Sequence, residues 1–178
     1  QEMEYEALVT VISSITDGQK NAEEQVQIYK PVIINSLLLE LLNGTQEKQI
    51  ALNALHAMGC SFPYTFWLCI AVAGDDFRHD TIMSLTDEMR KDGDEFVCYT
   101  AIHSRHSCVF LLNASTDESL TMAVNKLYQI LERTTAIHAY GVSDKVSSVD
   151  MLDNAYLHAH DTLNYTALDR WSKGCKWE

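Results

Sequence analysis

Apolar positions fall at helical spacing over the first sixty residues and at strand spacing or in continuous runs afterwards. In residues 2–16, Leu8, Val11, Ile12 and Ile15 form a narrow stripe, with glutamates near the start where a helix dipole favours them. Asp17-Gly18 interrupts the pattern, and residues 21–42 resume it with Val26, Ile33, Leu37, Leu38, Leu41 and Leu42 before Asn43-Gly44 supplies a stop. Pro31 either kinks this helix or starts its second half. Such a helix ahead of a compact domain either pairs with a copy of itself or folds back onto its own domain. The run Leu37 to Leu42 is apolar on more than one face and must be covered by something. Residues 46–58 predict a further amphipathic helix ending at Gly59.

The character then changes. Thr65 to Ala73 is a continuous apolar run rich in aromatic and branched residues, read as a strand buried on both faces. Phe77 to Arg90 places Ile82, Met83, Leu85 and Met89 on a helical face. Phe96 to His103 and Cys108 to Asn113 flank a polar tip and predict a β-hairpin. Thr116 caps the next helix, Ala136 to Val142 is a fourth strand, and Ser148 caps a last helix carrying Leu152, Ala155, Tyr156, Ala159 and Leu163. The tail from Trp171 to Glu178 is unassigned.

Strand, helix, hairpin, helix, strand is the βαββαβ order of an α+β, ferredoxin-like antiparallel sheet with two helices on one face. Right-handed crossovers put the first and third strands at its centre. The expected division is connector helices over 1–45, the α+β domain over 46–168 and a tail over 169–178.

Composition narrows the function. With 25 acidic and 13 basic residues the formal charge is −12, which repels a phosphate backbone, so no direct nucleic-acid contact is expected from this segment. No apolar run approaches the roughly 20 residues of a membrane helix. The five cysteines include no close pair, and most sit in apolar segments where a reduced thiol acts as a small hydrophobe, which fits a reducing cytoplasm. Sequons at Asn43, Asn113 and Asn164 carry no weight without a secretory route. The chain opens at Gln1 and is expected to be a fragment of a longer protein.

Site chemistry is sparse. His103, His106, His138, His158 and His160 offer one close pair, His103-x-x-His106, on a turn, so structural or solvated histidines are expected and no metal or cofactor site. No nucleophile elbow or phosphate loop is present, and Asp75, Asp76 and Asp80 form an acidic cluster that reads equally as a cation site or as a solvated, capped helix start. The sequence reveals no pocket for a small-molecule sensor, although that function stays open as an alternative.

Three stretches carry a family likeness: Pro31 to Gly44, the Met58-Gly-Cys-Ser-Phe-Pro63 turn, and Gly141-Val-Ser143 with Ala155, Tyr156 and Ala159. Across nearly its whole length the chain resembles the degenerate GGDEF-like domain of AraC-type, YesN-like bacterial transcription regulators. The resemblance implies a non-catalytic regulatory and dimerisation role, with a DNA-binding domain downstream and a sensor or receiver upstream. A homodimer through the leading helices is expected, with Leu8, Val11, Ile15, Ile33, Leu37 and Leu41 as the partner surface.

Active relatives of that fold are diguanylate cyclases, whose Gly-Gly-Asp-Glu-Phe signature caps the hairpin between the second and third strands. Here those positions hold Ser104, Arg105, His106, Ser107 and Cys108, and a metal-binding Asp at the end of the first strand falls on Ala73. Catalytic residues are therefore expected to be absent. Asp92-Gly93-Asp94-Glu95-Phe96 differs from the signature only at its first residue, but it precedes the second strand and reads as a polar helix-to-strand loop. An active or GTP-binding cyclase using that segment is the competing reading.

Overall fold

A computed structural model describes residues 2–15, 19–90, 95–168 and 174–176. Helix α1 (Glu2–Ile15) packs along α2 (Gln19–Asn43), and Ser36 of α2 hydrogen-bonds the Glu4 carboxylate of α1. Helix α2 runs through Pro31 without a break. The ring removes one intrahelical bond, and tertiary packing of the following residues holds the helix together. The helix closes where Gly44 N donates to Glu40 O and the Lys48 ammonium donates to Leu41 O.

Helix α3 (Lys48–Ala57) ends at Gly59, whose φ of +87° suits glycine. Cys60 N then bonds Leu55 O and Gly59 N bonds His56 O, the paired closure of a Schellman motif. Phe62 follows and packs on Trp67 and Tyr99 at ring-centroid distances of 5.0 and 4.9 Å.

Four strands are antiparallel: β1 (Phe66–Gly74), β2 (Phe96–Ser104), β3 (Ser107–Ala114) and β4 (Ile137–Val142), in the spatial order β2-β3-β1-β4. The first and third strands are central, as the crossover rule predicts. A short β5 (Gly174–Lys176), in the tail left unassigned from sequence, joins β4 in parallel at the outer edge. Helices α4 (His79–Met89) and α5 (Asp117–Arg133) lie between strands in the chain, and α6 (Leu152–Leu168) follows a single 3₁₀ turn at Val149–Met151. The predicted caps form: Ser119 N donates to Thr116 Oγ1 at 3.0 Å, and Asp150 N to Ser148 Oγ at 3.3 Å.

Alternation along the strands builds two cores. Leu68, Ile70 and Val72 of β1, with Phe110 and Leu112 of β3, face α4 and α5. Trp67, Cys69 and Ala71, with Val109 and Leu111, face α2, α3 and α6. Both central strands are buried on both sides, which is why their sequences are continuously apolar. Burial pushes the thiols of Cys69 and Cys98 up to about 12, and that of Cys108 higher still, so these cysteines act as inert core residues. The Cys175 side chain lies outside the described residues.

Candidate functional site

Strands β2 and β3 are joined by a two-residue turn, Arg105-His106. This tip is sewn to the loop that follows β1. Gly74 N donates to His106 O at 3.1 Å, Phe77 N to Arg105 O at 2.6 Å, and His106 Nδ1 lies 3.1 Å from Gly74 O. Phe77 is buried beneath the loop and anchors it to the α4/α5 core. Asp75 N donates to Ala136 O, which ties the same loop to the start of β4.

The acidic groups here have cationic or imidazole neighbours. The Asp75 carboxylate is 2.7 Å from His138 Nε2, and Asp76 lies 3.1 Å from Arg78 and 3.9 Å from Arg105. Asp76 sits at φ 49°, a left-handed position that aspartate tolerates better than most residues. Magnesium chemistry on a triphosphate needs oxygen ligands and open coordination positions. The loop instead presents dispersed, solvated ion pairs, and no group of three or more metal-ligating side chains is found among the described residues.

The signature positions do separate things. Ser104 Oγ accepts from His106 N at 3.1 Å, Arg105 and His106 are exposed at the tip, Ser107 starts β3, and Cys108 is wholly buried in the α4/α5 core. Of the signature-like segment, residues 92–94 lie outside the described residues. Glu95 bonds Ser115 at the far end of the hairpin, with its carboxylate accepting from Ser115 Oγ at 2.7 Å. The whole length of β2 thus separates it from the tip.

Of the five candidate histidines, His103 and His160 come together and the other three disperse. His103 Nε2 lies 2.8 Å from the Tyr156 hydroxyl, and the His160 ring packs edge-on against both. Burial lowers the pKa of His103 and of His160, the latter also through the neighbouring His103. His106 meets Gly74, His138 meets Asp75, and His158 Nδ1 accepts from Asp144 N.

The expected partner surface divides as well. Leu41 is fully buried in the chain's own second core, so it cannot serve as an exposed contact, and Val11 is buried too. Helical periodicity identifies an apolar stripe without saying what covers it. Ile33 and Leu37 are half-buried and Leu8 is 42% exposed, while the Ile15 side chain lies outside the described residues. Tyr5, Val9, Ile28 and Val32 join Leu8 as exposed apolar side chains of α1 and α2.

Two cavities among the described residues are invisible in the sequence. One of about 310 Å³ lies between α5 and the β1/β4 end, with Asp117 and Lys145 paired at its wall. The other, of about 290 Å³, lies between α2, α4 and the outer edge of β2. Together these features define an α+β domain whose hairpin tip is a structural contact. No family model, curated protein or solved structure matches the chain. Among the described residues no helix is long and apolar enough to cross a membrane.

Proposed function

We propose that the chain is a non-catalytic regulatory domain of an AraC-type bacterial transcription regulator, acting in the cytoplasm, with a ferredoxin-like, GGDEF-like core. In this reading it relays a change of helix packing from an upstream sensor to a DNA-binding domain outside the segment. The observation that supports it most is the sewn hairpin tip. Where a cyclase of this outline would cradle triphosphate, Arg105 and His106 give their carbonyls to Phe77 and Gly74. Incubation with Mg²⁺ and GTP should give neither a cyclic dinucleotide nor nucleotide binding; formation of product overturns the reading.

Self-association is the second element. Among the described residues, half of the large exposed apolar side chains lie on α1 and α2, with Ile28 and Val32 one helical turn apart. The full chain should therefore be a dimer by sedimentation, and the Ile28→Glu/Val32→Glu variant a monomer. A monomeric parent chain removes the dimer relay.

A further inference from the structure

Strand β2 is an edge strand, and edge strands carry unpaired backbone groups that proteins normally cover. Along this edge the covering is done by side chains. Asn35 Nδ2 donates to Ile102 O at 3.0 Å and its Oδ1 accepts from Ile102 N at 2.7 Å, so a carboxamide from α2 imitates a neighbouring strand. Four residues away, the Arg90 guanidinium donates twice to Cys98 O, at 3.1 and 2.7 Å.

Thr100 lies midway. In an antiparallel strand alternate residues turn their N–H and C=O to the same side, so the outward bonds of Cys98 and Ile102 fix those of Thr100 as outward too. Among the described residues no side chain bonds them. The Thr100 hydroxyl is turned inward to Thr86, 2.7 Å away. Thr100 lines the cavity of about 290 Å³, whose walls also include Lys30, Asn35, His79 and Met83.

Charge sets this cavity apart from the larger one, whose lining includes Asp117. In a chain of net charge −12 its lining contains no carboxylate, and it holds a lysine and an imidazole. None of the ion pairs among the described residues involves Lys30. The larger cavity, by contrast, has its lysine already paired with Asp117. A peptide adding as a strand would need to displace both Asn35 and Arg90, whereas one amide fits between them at Thr100. Its volume is at the small end of ligand pockets, about 300–1,000 Å³.

We infer that this cavity binds a small organic carboxylate bearing an amide group. The amide pairs with the Thr100 N–H and C=O as the Asn35 carboxamide pairs with Ile102, and the carboxylate faces Lys30. Such a ligand would bridge α2 to the sheet edge. The inference goes beyond the regulatory reading and does not depend on its dimer or on the absence of cyclase activity.

The test is a titration of the full ¹⁵N-labelled chain with N-acetylglycine, followed by amide chemical shifts, beside parallel titrations with acetate and with N-methylacetamide. The Thr100 amide should shift saturably with N-acetylglycine and much less with either half-probe. Lys30→Gln, its unliganded spectrum otherwise matching the parent, should weaken binding at least about tenfold through loss of a charge-assisted contact. Met83→Trp, which fills the cavity, should abolish the shift. The proposal is overturned by an unmoved Thr100 amide, by equal shifts with acetate alone, which mark an adventitious ion only, or by unchanged affinity in both variants.

Discussion

On the face covered by α4 and α5, the described core residues all come from the run β1-α4-β2-β3-α5-β4 itself, whereas α2, α3 and α6, which close the opposite face, lie before and after that run. The first face is an aliphatic and aromatic core. The second combines apolar packing with a close backbone approach, where a Cβ on Gly141 would fall 2.1 Å from Leu163 N and 2.5 Å from Ala159 O. It also carries the Asn35 contact to the β2 edge and the His103, Tyr156 and His160 rings. The difference teaches that the flanking helices are half of the core. A displacement of α2 would reach the sheet directly, which is what a relay domain needs.

That comparison can be broken most sharply by truncating one leucine on each side. Leu41→Ala and Leu127→Ala, both in fully buried positions, should each cost about 2–5 kcal/mol in urea denaturation. A Leu41→Ala cost of under about 0.5 kcal/mol, the level of a surface change, would mean that α2 is merely attached to a self-sufficient domain. Gly141→Ala comes next. The added methyl meets the backbone of α6, which cannot rotate aside, so about 1–3 kcal/mol should be lost.

The ring cluster makes a smaller, pH-dependent difference between the faces. Burial lowers the pKa of His103 and His160, so the folded state resists protons that the unfolded chain accepts from about pH 6.5 downwards. Asp161 acts in the opposite direction on His160, and the Tyr156 hydroxyl bonds His103. Stability from this source is complete above pH 6.5 and is lost as the pH falls through the lowered folded values. Thermal melts of the His103→Gln/His160→Gln variant should therefore decline less on acidification than those of the parent. Parallel curves would show that the cluster does not govern the acid limb. The smallest effect belongs to the loop charges: Arg105→Ala should change stability by less than about 0.5 kcal/mol, because its side chain and that of Asp76 are largely solvated. The tip is held by backbone bonds, which that substitution leaves in place.

Much of this architecture is written locally. The continuous apolar runs of β1 and β3, the hairpin apex at Arg105, and the caps at Thr116 and Ser148 follow from periodicity and cap chemistry within a few residues. The positions from Ser104 to Cys108 were legible as a tip for the same reason. The bonds that sew this tip to Gly74 and Phe77 were not, because backbone donors and acceptors look alike in any sequence and the partners stand about thirty residues apart.

By itself, then, the sequence determined the order and type of the elements, the two-sided burial of the central strands and an acidic chain with no long apolar helix. Only the tertiary structure decided that Leu41 belongs to the chain's own core, that β5 lengthens the sheet beyond β4, and that Asn35 and Arg90 flank Thr100 on the β2 edge in a cavity that Lys30 also lines. Periodicity records how many sides of an element are apolar. Which distant segment comes to lie against each side is settled by the packing of the whole chain.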